Sequence, residues 1–246
     1  MNTSDNDLPQ TKNIIFVLFD GVTLVDFVGA TEVFNNVPGF NIHWAAPSMN
    51  AITTSEKMKV LPTCTFDNGP ADAEILFIPG GFSKGVSDAM FDNRYREYIK
   101  RTAEKAVWTG SVCTGAFILA AAGELNNCIV TTYWSQLDNL KLLSEKYNFT
   151  VVPGYPRFLL DEKNKRFTGG GISSSLDLAL KLTEKITSKE TAEKAQLFIQ
   201  YAPGPPTRSG DPCQAPVSIS TEVLQMQTGY TADMRQSTLK LLNEHQ

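Results

Sequence analysis

Gly110-Ser111-Val112-Cys113-Thr114-Gly115 joins an apolar, strand-like stretch (Lys105 to Thr109) to a helix-like one (Ala116 to Ala122). A nucleophile on a sharp strand-to-helix turn needs small residues two positions before and after it, because the backbone doubles back there. Ser111 and Gly115 fill those places. A thiol at a helix N-terminus also feels the positive end of the helix dipole, which favours thiolate, the reactive form. Cys113 therefore reads as a reactive thiol, set against the alternative of a buried structural cysteine.

Outward from this run, Asn13 to Phe19 and Ala73 to Ile78 are continuous apolar segments of the kind found in strands buried on both faces. Asn41 to Ala46, Ala106 to Ser111 and Asn148 to Val152 read as further strands. Lys57 to Leu61 and Thr63 to Phe66 read as short strands that can pair with each other. Helices are expected over Val28 to Val37, Asp92 to Ala106, Gln136 to Tyr147, Ser173 to Ile186 and Glu190 to Tyr201, with one terminal helix over Glu222 to Asn243. Arg157 to Asp161 and Arg166 to Thr168 frame a hairpin, and Ala202 to Pro216 is a Pro/Gly-rich irregular stretch. Strands and helices alternating over short connections predict an α/β fold, a mostly parallel sheet with helices on both faces. Ligands in such sheets bind beyond the carboxyl ends of the strands. Asp20, Gly80-Gly81, Cys113 and Gly169 to Gly171 all fall just after predicted strands.

A chain of 246 residues suits one α/β domain, here residues 13–246, preceded by a disordered polar tail at 1–12. A net charge of -4 gives no electrostatic reason to expect nucleic acid or an anionic membrane as partner. No apolar run reaches the ~18 residues of a membrane span, and Met1 to Lys12 lacks the apolar core of a secretory signal. The four cysteines, at 64, 113, 128 and 213, form no close pair, so neither zinc ligation nor a disulfide framework is expected. Cytoplasmic residence is the default expectation.

A reactive thiol usually works with a base, most often His. Only His43, inside a predicted strand beside Trp44, and His245, next to the end, are present. A Cys-His pair is disfavoured and carboxylates come forward. Asp26 stands among apolar residues, where it is either a functional acid or a helix N-cap. Glu32 follows on the same helix as a surface or supporting group, and Asp20 reads as a turn residue. Gly80 and Gly81, after Pro79, either present N–H groups to developing negative charge or make a plain turn. Gly169-Gly170-Gly171 admits the same two readings and matches no nucleotide-binding motif. Thr114 either donates a hydrogen bond into the site or caps the helix.

Leu76-Phe77-Ile78-Pro79-Gly80-Gly81, Ser111-Val112-Cys113-Thr114-Gly115 and an acid after the first strand resemble the DJ-1/PfpI superfamily. Thr131-Thr132-Tyr133-Trp134, Thr168-Gly169-Gly170-Gly171-Ile172 and Gln200-Tyr201-Ala202-Pro203-Gly204-Pro205-Pro206 are similar to its isocyanide hydratase members. The resemblance runs from about Ile14 to Pro216. It implies a flavodoxin-like three-layer α/β sandwich, a homodimer, and addition of water to an isocyanide without metal or organic cofactor. It places Cys113, Asp26 and Thr114 in catalytic positions, with Gly80, Gly81, Tyr133, Gly171 and Ile172 around the substrate. Tyr133 departs from the pattern, because histidine commonly occupies that position; it either puts activity in doubt or reshapes the pocket. The alternatives are glyoxalase-like or deglycase-like chemistry, and a non-enzymatic redox-sensing or chaperone-like role. A transcription regulator would need an appended DNA-binding domain, which the single helix expected after Pro216 argues against.

Overall fold

In the computed structural model, which describes residues 11–244, the chain runs through β1 (Lys12–Val17), α1 (Leu24–Phe34), β2 (Phe40–Ala46), β3 (Ile52–Thr53), β4 (Lys59–Val60), β5 (Cys64–Thr65) and β6 (Ile75–Ile78). It continues through α2 (Ser83–Phe91), α3 (Asn93–Ala103), β7 (Trp108–Val112), α4 (Gly115–Ala121), β8 (Ile129–Val130), α5 (Leu137–Lys141), β9 (Thr150–Val151), β10 (Phe158–Asp161) and β11 (Arg166–Gly169). The last four helices are α6 (Ser174–Ile186), α7 (Lys189–Phe198), α8 (Val217–Met226) and α9 (Thr228–Asn243).

Seven strands form the central sheet in the order β10-β11-β7-β6-β1-β2-β5. All neighbours are parallel except β10, which turns back on β11 as the predicted hairpin. β1 lies inside the sheet between β6 and β2, with Ile14 to Val17 fully buried, as its unbroken apolar run requires. Helices α1, α6 and α7 pack together, and α2, α3, α4 and α9 form a second group. The result is the flavodoxin-like three-layer sandwich.

A row of aromatic rings crosses the core. Phe16, Phe77 and Phe167, from β1, β6 and β11, lie 5.0 and 5.3 Å apart in turn. Gly110 of β7 is the register partner of both Phe77 and Phe167. A Cβ at Gly110 would collide with the Phe167 ring, so the bare backbone lets that ring reach Phe77.

Several expectations need correction. Lys12, assigned to the tail, opens β1; residues 1–10 and His245 lie outside the described residues. The two short strands do not pair: β4 folds back on β3, while β5 extends the sheet beside β2. The helix expected over Gln136 to Tyr147 is a 3₁₀ turn (Trp134–Gln136) followed by the five residues of α5. There the Ser144 hydroxyl donates to the Lys141 carbonyl at 2.7 Å, competing with the helical ladder. Helix α2 was not anticipated, and the single terminal helix is two, broken at Gln227 (φ -95°, ψ 6°). Most important for function, α1 starts at Leu24 rather than Val28, which draws Asp26 into its first turn.

Candidate active site

Cys113 sits between β7 and α4 with φ +53°, the left-handed backbone of a nucleophile elbow. Two small residues make room for it. Gly115 lies so close to the carbonyls of Ile78 and Pro79 that no Cβ fits there. Gly171, after β11, has φ +77° and backs onto Cys113 itself, where a Cβ would overlap the cysteine Cβ and sulfur. The elbow is also tied down by hydrogen bonds. Cys113 N–H donates to the Gly169 carbonyl at 2.9 Å, and the Cys113 carbonyl accepts from the Thr132 hydroxyl at 2.7 Å.

The sulfur end of the site is nearly dry. Asp26 is fully buried and Cys113 is 5% exposed. Asp26 does not cap α1, whose N-cap is Thr23. Instead Oδ2 accepts the Gly80 N–H at 2.9 Å. Its other oxygen, Oδ1, has no hydrogen-bond partner of ordinary geometry, yet the carboxyl and the Cys113 thiol are close enough to perturb each other. Burial raises the Asp26 carboxyl from 3.8 to about 7, against the lowering effects of the Gly80 N–H and the thiol; the Glu56 carboxylate adds a small rise. Glu56 itself accepts the Leu24 N–H at the start of α1, at 3.2 Å.

The same environment works against the pull toward thiolate expected at a helix N-terminus. Burial pushes the Cys113 thiol well up, and the Asp26 charge pushes it further. The Thr114 N–H and hydroxyl pull in the other direction, but they do not offset desolvation. The helix that should have helped, α4, is only seven residues long. Burial thus raises both the thiol and the neighbouring carboxyl, which titrates near neutrality.

Gly80 and Gly81 are also placed differently from the expectation. The Gly80 N–H is committed to Asp26 and the Gly81 N–H to Thr114 Oγ1 at 3.1 Å, so neither is free for an oxyanion. Thr114 occupies the N-cap position of α4, but its side chain is buried and makes no capping hydrogen bond. Its hydroxyl spans to both the N–H and the carbonyl of Gly81. Ile172, next to Gly171, is 43% exposed. His43 is occupied on β2, its Nε2 lying 3.0 Å from Asn13 Oδ1 and 2.9 Å from Asn41 Nδ2. Asp20 is a turn residue whose carboxylate accepts the Thr53 N–H, and Glu32 faces solvent.

Tyr230 and Gln227, at the start of α9, were missed by sequence reasoning. Tyr230 hydroxyl reaches the Gly81 carbonyl at 3.1 Å and Thr114 Oγ1 at 3.3 Å. Burial and the neighbouring Cys113 push its phenol well up. Gln227 Nε2 donates to the Tyr133 hydroxyl at 2.8 Å. Nothing local marked these two residues, which lie more than 110 positions after the cysteine on a helix with a polar sequence.

A family profile described as DJ-1/PfpI family matches residues 12–185. An isonitrile hydratase from Pseudomonas putida is 34% identical over 207 residues, 84% of this chain and 86% of that protein. The crystal structure of a THiJ/PfpI family protein from Pseudomonas syringae superposes with a TM-score of 0.85 at 28% identity, covering 97% of this chain and 96% of the other. Drosophila melanogaster DJ-1beta shares the fold, with a TM-score of 0.67 at 18% identity over 79% of this chain and all of that one. The profile spans the sheet from β1 to the end of α6, and the elbow, the first-helix acid and the glycines that enclose them all lie within it. The chain is a member of the DJ-1/PfpI family.

Proposed function

We propose that this protein hydrates isocyanides, converting R–N≡C and water to the N-formamide R–NH–CHO. The observation that carries the reading is the dry pairing of Cys113 with an acid held near neutrality, alongside 34% identity to an isonitrile hydratase over most of both chains. An isocyanide carbon accepts a soft nucleophile and also needs a proton. A thiol and a carboxyl poised near pH 7 supply both.

Asp26, ionised, takes the Cys113 proton as the sulfur attacks the isocyanide carbon. It then delivers that proton to the same carbon, leaving the thioimidate Cys113–S–CH=N–R. Water next adds across C=N with Asp26 passing its proton, giving a tetrahedral carbon that bears sulfur, hydroxyl and NHR. The C–S bond breaks, the hydroxyl proton returns through Asp26 to sulfur, and the formamide leaves. Neither step calls for a metal or organic cofactor. Thr114 would orient the sulfur, while Tyr133, Gly171 and Ile172 would shape the space for R. In this reading Tyr133 is a wall fixed by Gln227, and the missing histidine is not needed because Asp26 moves every proton.

A redox-sensing role fits less well, since oxidation favours exposed thiols of low pKa. Dicarbonyl chemistry that leans on histidine finds none beside the thiol among the described residues. The reading also carries a homodimer, by family likeness, and a cytoplasmic location, the default expectation from the sequence. Among the described residues, no helix is long and apolar enough to cross a membrane.

The test is formamide production from cyclohexyl isocyanide, followed by NMR, for the parent and Cys113→Ala. Turnover that vanishes in Cys113→Ala supports the reading. Absent turnover with folded, reduced protein, or turnover that survives loss of the thiol, sinks it.

A further inference from the structure

Thr114 Oγ1 has one proton to give and two candidate acceptors. It lies 3.2 Å from the Gly81 carbonyl oxygen, and it stands beside the Cys113 side chain, since a Cβ at Gly80 would meet Thr114 Oγ1 at 2.8 Å and Cys113 Cβ at 2.7 Å. While the proton goes to the carbonyl it cannot reach the sulfur. If it turned to the sulfur unaided, the Gly81 carbonyl would be left without a partner in a buried place, at a cost comparable to a lost hydrogen bond. Tyr230 resolves this conflict, because its hydroxyl already stands 3.1 Å from that carbonyl.

We propose that Tyr230 is a positioning residue for Cys113: by donating to the Gly81 carbonyl it frees the Thr114 hydroxyl to turn to the sulfur as the thiol loses its proton. The Gly81 N–H keeps Thr114 Oγ1 in place through the exchange, since it donates to a lone pair that the rotation leaves available. The titratable groups facing this spot are Asp26 from α1 and Tyr133 from the segment after β8, with Glu56 beyond Asp26. None of them bonds the Gly81 carbonyl, so Tyr230 is the side chain that can relieve Thr114. Helix α9 thus contributes to the site through a hydroxyl that need not touch substrate.

The proposal deepens the hydratase reading, but its first readout does not depend on it. Parent, Tyr230→Phe and Ser237→Ala proteins are alkylated with iodoacetamide at pH 8, and the rate is followed on the Cys113 peptide by mass spectrometry. kcat and KM are then measured with cyclohexyl isocyanide. Phenylalanine keeps the ring and leaves the Gly81 carbonyl bonded by Thr114, so the fold is retained. Ser237→Ala removes a bond from α9 to Ser87 Oγ, 3.0 Å away, and leaves Tyr230 in place.

Tyr230→Phe is expected to slow alkylation of Cys113 about tenfold and to lower kcat about tenfold with KM within twofold, the effect of one hydrogen bond to a developing charge. Ser237→Ala is expected to match the parent in both. Alkylation of Tyr230→Phe within twofold of the parent overturns the proposal. So do equal losses in Ser237→Ala, which would give α9 a merely structural role. Slowed alkylation in Tyr230→Phe, in a protein that makes no formamide even as parent, upholds the positioning role and rejects the hydratase reading instead.

Discussion

Asp26→Asn should make the protein more stable at alkaline pH while removing its chemistry. The Asp26 carboxyl is raised from 3.8 to about 7 in the folded state, chiefly by burial. Between those two values the unfolded chain has lost the proton and the folded chain keeps it. The folded state therefore binds more protons, and stability falls as pH rises from about 4 to about 7, then levels off. At about 1.4 kcal/mol per pH unit, the full loss is on the order of 4 kcal/mol. Asparagine is neutral and its amide oxygen can still accept the Gly80 N–H, so it avoids this loss. For a chain of this size the difference corresponds to a melting temperature on the order of 10 °C higher for the variant at pH 8. Urea unfolding of parent and variant at pH 4.5, 6 and 8 measures it directly. The advantage of the variant should be small at pH 4.5 and grow with each step. A difference that does not change with pH, or a variant less stable at pH 8, would refute the assignment of a dry, neutral-prone carboxyl.

The same group sets a rate profile. Asp26 must be ionised to take the thiol proton, so alkylation of Cys113 and formamide production should both rise with pH through about 7, and Asp26→Asn should lack that inflection. Gly171→Ala would press a methyl group onto Cys113 at a positive φ; a loss of about 2–4 kcal/mol in urea unfolding and of nearly all Cys113 reactivity is expected. Phe77→Ala, at the centre of the aromatic row, should cost about 3–5 kcal/mol by the same assay, and a cost below about 1 kcal/mol would mean the core collapses around the gap.

Local chemistry made the framework readable. Buried apolar runs such as Ile14 to Val17 admit few alternatives to a central parallel strand, and small residues around Cys113 admit few alternatives to a sharp turn. The hairpin of β10 and β11 was legible because turn residues act over a few positions, and α6 because Leu178 and Leu182 recur on its buried face. Errors collected where stability came from elsewhere. Two-residue strands such as β4 and β5 carry too little pattern to name their partners, and α5 is too short for a periodic face to stand out.

Periodicity and small-residue spacing are local properties, so an α/β chain with a cysteine on a strand-to-helix turn and an acid near its first helix could be read from the residues alone. The character of those two groups depends on how the chain packs around them. Burial set the Asp26 carboxyl near neutrality and pushed the Cys113 thiol up, against the pull of the helix N-terminus. It also committed the Gly80 and Gly81 N–H groups and brought Tyr230 from a distant helix to Thr114. Desolvation and long-range hydrogen bonds depend on which segments meet, and no short window of residues contains that information.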